Sequence, residues 1–367
     1  MNVRLFPAIL MALMWMSQPV AAQGYGGLGT KAEGYDVPQR GTQLQFPRDH
    51  GAHPGYRIEW WYLTANLQGE DGRQYGVQWT LFRSALQPPE QAKKDAVGDW
   101  NTSQLWMGHA AITTPDSHHV AESLARGAYG LAGVQAAPFK AWINDWEMSS
   151  VDGGDGGGGA SKGIGNLSLS ASGTDFGYRL ELSADKPLIF HGDQGYSVKL
   201  ASGQASYYYS QPFYQVEGQL DLPSGSVSVT GNAWLDREWS SQPLSEDQHG
   251  WDWVSLSFDD GSKLMGFQLR QSDGNNFTSA TWIQSDGQTT AYANNKLKMT
   301  EISRSYAAGR EVPTRWRVEL PERGVDVTVQ ALNKDAWMET SFPYWEGPVN
   351  IKGSHVGVGY LEMTGYQ

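Results

Sequence analysis

The stretch FPRDHGAHPGYRIEWWYLTANL, residues 46–67, decides how the rest of the chain is read. Its first half is turn-forming: Pro47, Gly51, Pro54 and Gly55 interrupt regular structure around Asp49, His50 and His53. Its second half is rich in aromatic and branched residues and predicts a strand. On a strand, Glu59 and Trp61 share one face and Trp60 and Tyr62 share the other. A GEDG turn at 69–72 leads into an alternating run at 74–83, so the two runs predict a hairpin.

Working outward, short strand-like runs recur at a spacing of roughly ten residues, with turn residues between them. They fall at 105–113, 139–148, 167–172, 178–183, 196–200 and 206–209, and a second series begins at 227–236. Residues 87–102 read as a loop with one helical turn. Residues 116–126 have helical spacing, with Val120, Ala121 and Leu124 on one side and Asp116 or Ser117 as cap. The Gly-rich run at 151–166 lacks the acid spacing of a calcium loop and reads as a hairpin tip. The fold class expected is all-β, a barrel or a sandwich, with minor short helices. Two consecutive β-domains would span 42–226 and 227–367.

An internal echo supports two related halves. A Trp-led strand at 61, an acidic Gly turn and a strand ending in Arg83 match a Trp-led strand at 253, the turn at 259–261 and a strand ending in Arg270.

Composition bounds the setting. Arg4, the apolar run 6–16 and the small residues Val20, Ala21 and Ala22 form a signal-peptide pattern, so cleavage is expected after residue 22 and a flexible leader over 23–41. A periplasmic or secreted protein is expected. It has no cysteine, so packing must replace disulfides, and 16 Trp, 17 Tyr and 11 Phe supply the buried area. A net charge of −12 without a basic cluster argues against nucleic acid as partner.

Eight segments in order carry a family likeness: residues 46–67, GHAAIT (108–113), RGAYGLAG (126–133), GDQGYS (192–197), ASYYYS (205–210), AWLDREWSSQPL (233–244), GWDWVSL (250–256) and the run from YWEGPVNIKGS to GYLEMTGY (344–366). They resemble the AttH-like proteins, a secreted lipocalin-like family that includes the carotenoid hydratases. The resemblance implies two lipocalin-like β-barrels with an apolar pocket in or between them. It also implies export, and for some members association with an ABC-type exporter. An apolar or lipid-like small molecule is therefore the expected ligand. The alternative is a hydratase, hydrolase or isomerase acting on such a molecule.

The candidate catalytic groups are His50, His53, Glu59 and Glu238, because imidazoles and buried carboxyls move protons near neutral pH. Asp49 reads instead as a turn-capping group. The candidate ligand-binding residues are Trp60, Trp61, Tyr62, His109, Tyr207, Tyr209, Asp236, Arg237, Trp239, Trp251 and Trp253. The hydratases carry an Asp-His-Asn-Trp segment where this chain has Asp236-Arg237-Glu238-Trp239. An arginine cannot serve as a ready proton donor. The comparable following strand, 264–270, holds no carboxylate, which argues against alkene hydration by that route. No metal or cofactor is expected, since His50-x-x-His53 matches no helical zinc motif. The lack of cysteine excludes a thiol nucleophile, and serine hydrolase chemistry is not expected.

Overall fold

The computed structural model describes residues 32–95, 102–127, 129–151, 159–201, 203–242 and 248–366. The expected signal peptide and residues 23–31 of the leader lie outside the described residues. The fold is nearly all-β, as its alternating runs require: one sheet forms a nearly closed barrel and the other a half-barrel. The first sheet holds β1 (Ile58–Gly69), β2 (Gln74–Ala85), β3 (Gln104–Thr113), β4 (His118–Arg126), β5 (Ala132–Ala136), β6 (Phe139–Ile143), β7 (Trp146–Ser150), β8 (Asn166–Ser172), β9 (Gly177–Ser183), β10 (Ile189–Phe190), β11 (Tyr196–Val198), β12 (Ala205–Leu222) and β13 (Gly225–Ser240). The second holds β14 (Gln248–Phe258), β15 (Lys263–Gln271), β16 (Phe277–Ile283), β17 (Thr289–Tyr292), β18 (Lys298–Ala307), β19 (Arg310–Leu320), β20 (Val325–Ala331), β21 (Trp337–Met338), β22 (Tyr344–Gly353) and β23 (Gly357–Met363). One short helix, α1 (Pro89–Asp95), supplies the expected helical turn.

Three expectations change. Residues 116–126 form no helix; β4 pairs with β3 from Leu105↔Arg126 to Thr113↔His118. Val120 and Leu124 are four apart, an even spacing that also puts them on one face of a strand, so the apolar pattern did not discriminate. The single strand expected at 139–148 is two, β6 and β7, turned at Asn144 with a φ of 53°. The break expected at 226/227 falls inside β13, just past the turn from β12. β13 runs along β1 from Gly69↔Val229 to Ile58↔Ser240, so it belongs to the first sheet. The chain passes to the second sheet between Ser240 and Gln248.

The two sheets share a strand order. The first runs β4-β3-β2-β1-β13-β12-β9-β8-β7 and continues to β5; the second runs β17-β16-β15-β14-β23-β22-β20-β19-β18. In each, the first strand of the set closes against the last. The sequence echo is real at this level, but its phase shifts by one residue. Glu59 pairs with Arg83 in the first sheet, and Asp252 pairs with Arg270 in the second. The equivalent steps are thus Glu59-Trp60 and Asp252-Trp253. Each acid points into its own sheet's core and each tryptophan points out.

That alternation sets the packing. Inside the first sheet, Trp61, Trp79, Trp106, Trp146, Trp239, Tyr178, Tyr209 and Tyr214 join one buried cluster. Val254, Leu256, Trp316 and Trp345 anchor another inside the second. The outward residues Tyr62, Tyr208, Trp234, Trp253 and Phe267 form a third cluster where the sheets meet. An all-β chain of this kind exposes two hydrophobic sheet faces, and burying the outer faces against each other removes one from water on each side.

Candidate functional site

The candidate residues divide by strand face. His50, His53, Glu59, Trp61, Tyr207, Tyr209, Arg237 and Trp239 collect inside one end of the first barrel. There Glu59, fully buried, is ion-paired with both Arg83 and Arg237. Its carboxylate also accepts the His53 backbone N–H at 2.8 Å. The Arg237 guanidinium lies over Trp61 at 3.9 Å and over Trp239 at 4.8 Å, and donates to the Gly51 carbonyl at 2.6 Å. The His53 ring stacks on Trp239 with centroids 4.1 Å apart. His50 bonds Tyr209 Oη at 2.6 Å and the Lys162 carbonyl at 2.9 Å, and burial pushes its proton affinity down to about 4. Tyr207 Oη accepts the Gln39 N–H and bonds Thr42 Oγ1, each at 2.8 Å. Asp49 sits within reach of Arg48 and His53 and accepts the Gln45 N–H at 2.7 Å. Arg237 Nε apart, the polar groups of this cluster bond one another or nearby backbone, and the arrangement is a latch that ties residues 45–53 across the barrel end.

The other candidates meet between the sheets. Trp60 and Tyr62 from β1, Asp236 and Glu238 from β13, and Trp251 and Trp253 from β14 line one cavity of about 90 Å³. Phe82, Tyr208, Phe267 and Leu269 complete its apolar walls, and Lys199 and Glu362 add charge. Asp236, 2 % exposed, accepts hydrogen bonds from Tyr208 Oη at 3.0 Å, Trp234 Nε1 at 2.7 Å and the Ser210 hydroxyl. Tyr208 in turn accepts Trp253 Nε1 at 3.1 Å. Burial pushes the Asp236 carboxyl up to about 7 despite these donors. Glu362 accepts Trp251 Nε1 at 2.6 Å; burial raises its proton affinity as well, and the nearby charges of Asp236 and Glu238 add to this. Glu238 is paired with Lys199 at 2.7 Å. Three carboxyls thus face one cation in an aromatic cavity.

His109 lies outside this cavity but is linked toward it. Tyr62 donates to Glu346 Oε1 at 2.5 Å, and burial, with the nearby charge of Glu362, raises the proton affinity of Glu346. His109 Nδ1 bonds Tyr344 Oη at 3.0 Å, and its Nε2 faces Glu122 at 3.3 Å.

Sequence reasoning missed Glu362, Lys199, Phe82 and Tyr208. Glu362 had a signal: it is the one carboxylate in the otherwise apolar run of β23, in phase with Tyr360. Lys199 follows β11 and reaches the cavity only through tertiary folding. Residues 159–163, GASKG, have the spacing of a serine-nucleophile turn. Yet Ser161 is buried, lies 3.0 Å from the carbonyls of Ala184 and Lys186, and accepts from Gln211 at 2.8 Å, so it acts as a structural bridge.

The family model described as AttH-like matches residues 37–366. The crystal structure of a protein of Nitrosomonas europaea assigned as an AttH superposes with a TM-score of 0.77 at 31% identity, covering 89% of this chain and 98% of that one. Kievitone hydratase of Nectria haematococca superposes with a TM-score of 0.62 at 13% identity, covering 89% and 97%, a likeness of fold. No curated protein sequence matches the chain.

Proposed function

The chain belongs to the AttH-like family, and on that premise we propose that its inter-sheet cavity binds the reacting end of a small apolar or lipid-like molecule and carries out proton transfer on it. Addition or elimination of water at an unsaturated bond, or isomerisation of that bond, is the reaction class that fits. The observation behind the reading is a buried acid, Asp236, with a proton affinity near 7, facing an aromatic wall beside a second buried acid of raised proton affinity, Glu362. A cavity serving only to hold an apolar ligand gains nothing from two desolvated carboxyls. A carboxyl so tuned can give a proton to a carbon and, once ionised, take one from an adding water. The positive charge that develops on the substrate would lie among Trp60, Trp251 and Trp253, whose ring faces attract cations, in a cavity where acids outnumber Lys199. A relative in fold that is a hydratase is compatible with this reading.

Arg237 takes no part: it is committed to Glu59 inside the first barrel. Export rests on the signal-peptide pattern, and an ABC-type exporter as partner rests on the family resemblance alone.

The test is a panel of polyenes, prenylated phenols and unsaturated fatty acids and their hydrated forms, followed by tryptophan quenching for binding and, for turnover, by product mass and chromatographic retention in ¹⁸O-labelled and deuterated water. Asp236→Asn and Glu362→Gln are expected to keep binding within a few-fold and to abolish turnover. Binding without turnover by any member would leave a carrier and refute the catalytic half. Absence of both would refute the site.

A further inference from the structure

A second opening lies between the sheets and shares no lining residue with the acid cavity. It is a groove of about 780 Å³. Each sheet contributes one lysine to it. Lys186 comes from the link between β9 and β10, and Lys263 opens β15. Both reach the same ring: their ammonium groups lie 4.8 Å and 5.5 Å from the centre of Phe213, and so within about 10 Å of each other. Phe213 is placed there by a bulge in β12, where the pairing with β13 shifts between Gln211 and Tyr214.

Lys263 is 8 % exposed, yet among the described residues no carboxylate pairs with it. Its ammonium donates to Ser257 Oγ at 2.9 Å, and that of Lys186 donates to the Ser285 carbonyl at 2.8 Å. Asp185 and Asp259 also line the groove, but among the described residues neither forms an ion pair with either lysine. Burial, with the charge of Lys186 added, pushes the Lys263 ammonium down to about 8. In a chain of net charge −12, two neighbouring cations with no ion-pair partner among the described residues stand apart from the background. Asn166, Gln215 and Asn232 add amide groups along the same wall, and Phe258 and Val358 add apolar surface.

We propose that this groove binds an oxyanion, a phosphate or a carboxylate, between Lys186 and Lys263, with any apolar body attached to it lying against Phe258 and Val358. An ammonium pair supplies point charges to an oxyanion, the amides supply further donors, and the bound anion relieves the repulsion between the lysines. The ring of Phe213 attracts both cations.

The test uses the chain from residue 23 onward, purified without phosphate. Thermal unfolding and calorimetric titration are run with inorganic phosphate, butyl phosphate and butanol, each against sodium chloride at equal ionic strength. Both phosphates are expected to raise Tm and to bind, and butanol is expected to do neither. Tighter binding of butyl phosphate identifies an amphiphile head group as the ligand; equal binding identifies the free anion. Lys263→Met and Lys186→Gln should each weaken binding at least tenfold. Lys186 is half-buried, so its variant tests the site even if the Lys263 variant folds poorly. Asp236→Asn should bind phosphate as the unsubstituted chain does, which separates this site from the acid cavity. No effect beyond chloride, or undiminished binding in both lysine variants, would overturn the proposal.

Discussion

Replacing Glu59 by glutamine tests whether the opening stretch is a latch or a catalytic centre. Glutamine keeps the shape of the side chain and removes its charge. Burial would raise the Glu59 proton affinity, but the charges of Arg83 and Arg237 and the hydrogen bond from His53 outweigh it and hold the carboxyl below the usual carboxylate range. In Glu59→Gln both guanidiniums, each 1 % exposed, stay buried without an anion. Removing one partner of a buried pair costs about 3–5 kcal/mol, and with two cations stranded the upper part of that range applies. Against a typical total of about 5–15 kcal/mol, this is a large share. The assay is equilibrium unfolding in urea followed by tryptophan fluorescence, with the m-value unchanged so that midpoints convert to free energies. The pH dependence gives a second check. Because the folded value is depressed, the carboxylate's contribution is present above its unfolded value of about 4.5 and is lost as pH falls below it. The gap between the two proteins should therefore be full at pH 7 and shrink in acid. A loss under about 1 kcal/mol at pH 7, or a gap that does not close in acid, would refute the latch. Turnover falling in Glu59→Gln while stability held would return Glu59 to the catalytic list.

Two further outcomes follow from the same structure. Asp236 has the opposite sign: its folded proton affinity is raised, so its favourable contribution is complete below about 3.8 and is lost as pH rises to about 7. Asp236→Asn should thus overtake the unsubstituted chain in stability above pH 7, by on the order of 2–4 kcal/mol, and urea midpoints across pH 4–8 would show the crossing. Gly231 lies on the seam where β13 meets β1, and a Cβ there would run into the Asn66 carbonyl oxygen and the Leu67 backbone. Gly231→Ala should cost about 1–3 kcal/mol as overpacking against backbone that cannot rotate away, read as a lower Tm with unchanged far-UV dichroism.

Much of this protein is legible in its sequence because strand chemistry is local. Period-two alternation places Glu59 and Trp61 opposite Trp60 and Tyr62 whatever the rest of the chain does, and the GEDG turn with its glycines joins β1 to β2. The recurrence of short aromatic runs implies an all-β fold for the same reason. The Trp-led hairpins disclose a repeat, since equivalent strands bury equivalent faces. What alternation cannot supply is the identity of each face's neighbour. Glu59 and Glu238 look alike as strand acids. One is locked between Arg83 and Arg237 in a filled barrel, and the other faces Lys199 in a cavity between sheets. The helical reading of 116–126 failed at the same point, because residues four apart share a face in either structure and only pairing with β3 decides.

The composition of the acid cavity is wholly tertiary. Asp236 and Glu362 are 126 residues apart in the chain, and their raised proton affinities come from desolvation when two sheets close over them. The sequence alone determined that the chain forms strands, which side chains share a face, and that its halves are related. The tertiary structure decided that the outer faces pack together. That packing placed His50, His53, Glu59 and Arg237 inside the first barrel, and it left Asp236, Glu238 and Glu362 beside Trp60, Trp251 and Trp253. The physical reason is that a side chain's direction is set by its own backbone, whereas its charge state and its partners are set by whatever removes its water.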